Sequence, residues 1–415
     1  MADITIDDLA YGTLHEMAMR AGPFWTSPVV GYVIYADAYS DLLYRKTLDG
    51  GATWEAAVNI KTEYILMQDC WADWQTAGDA GTKIHIAYIG SDGDDVRYVY
   101  LDTSSDTIGG DVQIEAVQGT GLLGNTSGRS NFHVSIAKTR GGNLAVALHY
   151  MDSGNSHFYS FYTSPDGITW TIKASPWEAD LDYILLFPGN EADNQDLWAT
   201  FWDRSTDEIS LKTYDNSGNS WSEQLISGSM VESAKYEQMD GTIRLSDGHL
   251  IFAAWNLWDD AAADLMVWDI NGAASITAKT NVLTDSAGSF LVSVFINQVN
   301  DDIYVTYMKG TDVELEVAAF YQKSVNGGAN WGGQTVLQAD VEDDERWVSA
   351  GAIKATWFGK FQPYWFNDDL NDLFTNTDNG IPITLGWTGK IAGVTDPSKI
   401  MGVDKANIAS VKGVA

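Results

Sequence analysis

A short turn ending in tryptophan recurs along the 415-residue chain, and an internal repeat of this kind constrains a fold more than composition can. Four copies are well formed: Thr47-Leu48-Asp49-Gly50-Gly51-Ala52-Thr53-Trp54, Ser164-Pro165-Asp166-Gly167-Ile168-Thr169-Trp170, Asp215-Asn216-Ser217-Gly218-Asn219-Ser220-Trp221 and Ser324-Val325-Asn326-Gly327-Gly328-Ala329-Asn330-Trp331. Their tryptophans lie 116, 51 and 110 residues apart, so two gaps are close to twice the third. A period of about 55 residues with degenerate members explains those gaps. Candidates for the missing members are Asp102 to Gly110, Asp269 to Ser275 and, more weakly, Thr377-Asp378-Asn379-Gly380. An Asp or Asn side chain accepts hydrogen bonds from the backbone that follows it, and Gly supplies positive φ, so each turn is a hairpin corner over which the Trp packs.

A second feature precedes each turn by about 25 residues: a polar cluster, then an apolar strand ending in aromatics. Examples run from Gly81 to Tyr88, Gly141 to Tyr150, Asp247 to Trp255 and Asn300 to Tyr307. No segment sustains a helical period. With the less regular strands included, each unit reads as four strands, which predicts an all-β fold: a single β-propeller. Seven blades are expected over residues 14–387, with six as the fallback if 350–387 is only an irregular closing piece. A sandwich array is disfavoured, because there are eight prolines in all and no Pro/Gly/Ser linker. Residues 1–13 are a segment from which Ile4-Thr5-Ile6 could close the ring as an outer strand, Ile381 to Thr384 being the rival, and residues 388–415 form a separate extension.

Charge narrows the partners. With 24 Lys and Arg against 57 Asp and Glu, the net charge is −33, which repels phosphate backbones and anionic lipid, so neither nucleic acid nor membrane is an expected partner. The single cysteine, Cys70, leaves no intramolecular disulfide and no zinc finger. The sequence starts with neither a basic segment nor an apolar run, so synthesis in a cytoplasm without a signal peptide is expected.

The four tryptophan turns resemble the Asp-box, or BNR, repeat of the sialidase-type propeller superfamily, and Ile243 to Ile251 is similar to a strand entry common there. The resemblance implies the propeller and gives the turns a structural role at Asp49, Gly51, Trp54, Asp166, Trp170, Asn216, Gly218, Trp221, Asn326, Gly328 and Trp331. It implies no activity by itself. A sialidase-like site would need three arginines on a carboxylate, a Tyr with a Glu partner as nucleophile and an Asp as acid/base. The residues that could fill these roles are Arg20, Arg129, Arg244 and Arg346, the pair Glu232 and Tyr236, and Asp69. The family's Arg-Ile-Pro signature is absent, Met19-Arg20-Ala21-Gly22 standing nearest to it, and each candidate has a plain alternative as a salt-bridged or loop residue. Asp182 and Asp285 are further carboxylates by inner-strand placement.

Trp71, Trp74, Trp255 and Trp347 could stack on sugar rings, or pack between blades. The six histidines have no metal-ligand spacing and read as strand packing or loop residues. Ser91 to Asp95 and Glu342 to Glu345 offer oxygen ligands for Ca²⁺, or are solvated acidic loops; no other cofactor is expected.

After residue 387 an [Ile/Val]-x-Gly-Val unit recurs, with Lys390, Lys399, Lys405 and Lys412 among its copies. Short apolar units of this kind cannot build a core of their own and add as strands to another chain. This extension is similar to the Gly-Val repeat tails of tailed-bacteriophage virion proteins, fibre and tail-tip components above all. The expectation is therefore a virion protein, made in the host cytoplasm, that is held by residues 388–415 to other virion proteins or to further copies of itself. Its ring would bind a host-surface glycan or receptor without catalysis. The alternatives are an active exo-glycosidase of surface glycans and a purely structural decoration protein.

Overall fold

The computed structural model describes residues 3–8, 20–37, 41–90, 95–119, 121–122, 132–178, 183–203, 205–231, 239–256, 263–286, 291–310, 317–338, 345–353, 361–367, 370, 372–376 and four strand pieces between 390 and 404. The strands form seven blades, each entered by its own inner strand and antiparallel throughout, except that the short piece Ala352–Ile353 lies parallel to Phe24–Trp25 on the inner edge of blade 1. Those inner strands are Phe24–Trp25, Ile65–Ala72, Phe132–Lys138, Tyr183–Pro188, Met239–Arg244, Val292–Asn297 and Glu345–Ser349, for blades 1 to 7. The count is seven rather than six, because 350–387 is more than a closing piece: Tyr364–Asn367 and Asp372–Thr375 are the second and third strands of blade 7.

The ring closes through the N-terminal strand Ile4–Asp7, which pairs antiparallel with Asp372–Thr375 as the outer strand of blade 7. Asp7 then accepts hydrogen bonds from the Tyr35 hydroxyl and from Arg45 Nε (2.8 Å), both on blade 1, so the closing strand is fastened to the blade beyond it. Ile381 to Thr384 and the weak turn at 377–380 lie outside the described residues.

All four tryptophan turns join the third and fourth strands of a blade, in blades 1, 3, 4 and 6, and the degenerate turns do the same in blades 2 and 5. In the first turn Thr47 Oγ1 accepts the Gly51 N–H (2.8 Å), while Asp49 Oδ1 accepts the Thr53 N–H (2.9 Å). Ser164 with Asp166, and Ser324 with Asn326, repeat the arrangement. The third turn differs: the capping acceptor is Asp215, which takes the Gly218 N–H (3.0 Å), whereas the Asn216 backbone N–H donates to Asp196, just before the second strand. The box position assigned to Asn216 therefore belongs to Asp215, one residue earlier.

These turns also pack against the blade before them. A Cβ on Gly167 would lie 2.7 Å from the Tyr98 ring of blade 2, and one on Gly51 2.2 Å from Gln362 beside blade 7, so only glycine lets these corners approach so closely. The Trp221 and Trp331 indoles donate to the Ala174 and Thr280 carbonyls beyond the outer strands of blades 3 and 5 (both 2.8 Å).

The aromatic strand ends mark the second strands. Tyr35, Tyr88, Tyr150, Trp202, Trp255 and Tyr307 are all fully buried between blades. Their polar tips find partners there, such as Tyr88 hydroxyl to Glu63 (3.3 Å), Tyr150 hydroxyl to Glu115 (3.1 Å) and Trp202 Nε1 to the Met230 carbonyl (3.2 Å). Beyond the ring, Lys390–Ile391 pairs with Val394–Thr395 and Lys399–Ile400 with Val403–Asp404, two small hairpins of one pattern; among the described residues neither pairs with a ring strand.

Candidate functional site

The polar groups of the ring's inner wall come from the inner strands, whose unpaired edges must find partners across blade boundaries. On blade 2 Asp69 is fully buried and accepts the Ile136 N–H (2.8 Å) and the Ser135 hydroxyl (3.2 Å) of blade 3, and Ser135 Oγ in turn accepts the Leu186 N–H of blade 4 (3.0 Å). Arg20 completes this set. Its Nε donates to Asp69 Oδ1 (2.9 Å), and its Nη2 donates to Asp69 Oδ2, to Ser135 Oγ (3.1 Å) and to the Ile136 carbonyl (2.8 Å), while Nη1 reaches the Leu186 carbonyl (3.2 Å). The guanidinium lies over Trp71 (5.0 Å) and Phe187 (5.4 Å). Such a bidentate, buried pair fixes four blades relative to one another.

The same scheme recurs three blades on. Asp240 of blade 5 accepts the Val294 N–H (2.9 Å) and the Ser293 hydroxyl (3.0 Å) of blade 6, and Ser293 Oγ accepts the Ala350 N–H after the inner strand of blade 7 (3.1 Å). Among the described residues no arginine completes this second set: Asp240 is buried, and its Oδ1 has no hydrogen-bond partner.

These contacts decide several of the candidates. Asp69 is saturated by Arg20 and two blade 3 donors, so it has no free oxygen to act as a general acid. Arg20 is spent on the same pair. Arg244 is chelated by Asp247 (3.0 Å from Nε to each oxygen) and reaches Asp269 (3.2 Å), at the turn between the first two strands of blade 5. The two therefore serve separate blades, and neither offers a free guanidinium to a carboxylate ligand. Trp71 and Trp255 are fully buried and Trp74 is 3% exposed, so these three are core residues rather than stacking platforms; Trp71 Nε1 donates to Thr76 Oγ1 (2.9 Å) and Trp255 packs edge-on against Tyr307. Arg129, Asp182, Glu232 and Tyr236 lie outside the described residues, as do the side chains of Asp285, Arg346 and Trp347. Of the two acidic loops, Asp95 is engaged by Arg97 (3.0 Å), and most of the rest is undescribed. Among the described residues no group of three or more His, Cys, Asp or Glu is placed to hold a metal ion.

One cluster was not singled out from the sequence. On blade 3 the cross-strand register aligns His133, His149 and Tyr159 in one row, and Trp177, from the segment leading to blade 4, packs against all three at 5.6, 5.9 and 5.5 Å between ring centroids. His157 stacks on His149 (5.1 Å, 16° between planes), and the two imidazoles share a hydrogen bond from Nε2 to Nδ1 of 2.9 Å. Burial, then the neighbouring His157 and His133 imidazoles, push the His149 imidazole well below the usual histidine range, so it is neutral at pH 7. His157 and Tyr159 are half-buried. Folding Leu144–Met151 onto His157–Ser164 as a hairpin would have brought these residues together, but the register depends on where the turn falls.

No known family model and no curated protein matches this chain. Among solved structures, it is similar to an ulvan lyase from a new polysaccharide lyase family, solved bound to -[GlcA(1-4)Rha3S]-, at 10% identity and a TM-score of 0.52 over 91% of this chain and 94% of that one. A Trypanosoma rangeli sialidase in complex with the inhibitor DANA follows at 13% identity and a TM-score of 0.47, over 75% of this chain and 55% of that one. A Hadza microbial sialidase gives 12%, 0.45, 90% and 68% for the same quantities. At these identities the lyase likeness speaks for the propeller fold alone.

Proposed function

We propose that the ring is a carbohydrate-recognition module that takes a neutral glycan on the rim of blade 3, without cleaving it. The observation that carries this reading is the half-buried stack of His157, His149, Tyr159 and Trp177 on one blade. Aromatic faces receive the C–H face of a sugar, and imidazole nitrogens exchange hydrogen bonds with its hydroxyls. Charge supports a neutral ligand over an acidic one. The chain carries −33, and Arg20, Arg45, Arg97 and Arg244 are already committed to carboxylates. The likeness to an ulvan lyase solved with a bound glycan supports a glycan-related function for the ring, though not the choice of a neutral ligand, which rests on charge.

The reading extends to placement. Residues 388–415 fasten the ring to a larger assembly, a phage-type virion, with the ring turned to a host-surface glycan or receptor; the support is the repeated Lys-Ile-x-Gly-Val hairpin, which has no core of its own. Screening the full chain against neutral and acidic glycans tests the binding claim. A neutral hit that weakens at least tenfold in Tyr159→Ala and His157→Ala is expected. Binding confined to acidic glycans, or turnover of a glycoside, would overturn it. Loss of particle incorporation on deleting 388–415, with the ring still folded, is the matching expectation for placement.

A further inference from the structure

Asp69 and Asp240 occupy equivalent places in two equivalent hydrogen-bond sets, yet only Asp69 has a cation seated on it. Arg20 gives both of its carboxylate-facing nitrogens to Asp69, so at Asp240 it acts only as a nearby charge. Among the described residues the other groups packed around Asp240 are neutral. Blade 6 presents the Ser293 hydroxyl and Val294 amide, blade 7 the Ala350 amide through Ser293, the second strand of blade 5 Ala253, and blade 4 the Phe187 ring beside Gly241. An ionised carboxylate here keeps one buried oxygen without a protein donor, which is costly in a buried site.

We propose that the junction of blades 5, 6 and 7 is a proton-operated seam: Asp240 takes up one proton from solvent as the medium turns mildly acidic, and the ring is held more tightly with that proton than without it. Burial drives the Asp240 carboxyl up to about 6, against the opposing pull of the Val294 amide, Arg20, the nearby Gly241 amide and the Ser293 hydroxyl. The unfolded chain offers the same carboxyl at about 3.9. Between those two values the folded ring binds the extra proton, so the contribution of Asp240 to stability falls as pH rises through that window and is flat above it.

Thermal melting of the full chain, wild type beside Asp240→Asn, from pH 4.5 to 8 tests the seam. The variant is expected to melt higher at pH 7.5 by about 2 to 3 °C, with the gap closing as pH falls towards 4.5. A gap of the same size at every pH, or a variant that melts lower at pH 7.5, would overturn the proposal. Hydrogen exchange on the wild-type protein provides a test without substitution. After correction for intrinsic rates, protection of segment 292–297 should rise from pH 7.5 to 5.5 while that of segment 132–138 stays level. Parallel behaviour of the two segments would equally overturn it.

Discussion

The inner strands of blades 2 to 4 and of blades 5 to 7 carry one hydrogen-bond scheme, with Asp69, Ser135 and the Leu186 amide in the first and Asp240, Ser293 and the Ala350 amide in the second. The outer turns follow the same step only in part: degenerate in blades 2 and 5 and well formed in blades 3 and 6, whereas blade 4 has a tryptophan turn and blade 7 takes its outer strand from the N-terminal segment. Blade 1 stands outside the pair, and the segment that leads into it supplies Arg20 to one side only. The backbone plan is thus duplicated and the charge balance is not. One buried carboxylate is paired with a guanidinium, and the other is left to a proton. A repeated geometry therefore does not imply a repeated energetic role.

The sharpest way to break this comparison is to remove the guanidinium. Arg20→Met strands the fully buried Asp69 charge and is expected to cost about 3 to 5 kcal/mol in urea unfolding at pH 7.5. A loss well under about 1 kcal/mol would mean that the two carboxylates are equivalent after all. Adding Asp69→Asn to Arg20→Met should recover part of the loss, because no uncompensated charge then remains. The single change Asp69→Asn should destabilise at neutral pH, the opposite sign to Asp240→Asn.

Next in size come the two serines. The Ser135 hydroxyl serves Asp69, Arg20 and the Leu186 amide, whereas that of Ser293 serves Asp240 and the Ala350 amide. Ser135→Ala should cost about 2 kcal/mol and Ser293→Ala about 1 kcal/mol, since the Ser135 hydroxyl serves two charged groups and that of Ser293 one. Equal losses, measured by the same unfolding experiment, would place the asymmetry somewhere other than the carboxylates.

What the residues reveal in order along the chain is what local geometry governs. The tryptophan turns as hairpin corners and the aromatic-ended strands that precede them were legible because each is written within ten residues; that they join third to fourth strands and form second strands was not. Even there, Asp215 and Asn216 stand side by side, and only the hydrogen bonds separate the cap from its neighbour. The inner wall was not legible. Arg20 meets its partners 49, 115 and 166 residues away, and nothing near Met19-Arg20-Ala21 signals them. Trp71 misled for a related reason: all eight residues of Ile65–Ala72 are buried, because neighbouring blades cover both faces of the sheet, so alternation cannot tell an inward side chain from an outward one.

The smallest prediction is a control on which the two three-blade sets should agree. Trp221, on blade 4, and Trp331, on blade 6, each donate an indole hydrogen bond of 2.8 Å to a carbonyl past the outer strand of the preceding blade. Phenylalanine keeps most of the ring contact and removes the donor, so Trp221→Phe and Trp331→Phe should each cost about 1 kcal/mol, the ordinary net worth of one neutral hydrogen bond. Neither value should change between pH 5 and pH 8, because the groups that the indoles bind are backbone carbonyls. A pH-dependent loss at Trp331 alone would mean that the proton bound at the inner wall is felt at the outer corner of its half of the ring, and the seam would then extend across the whole width of the blade.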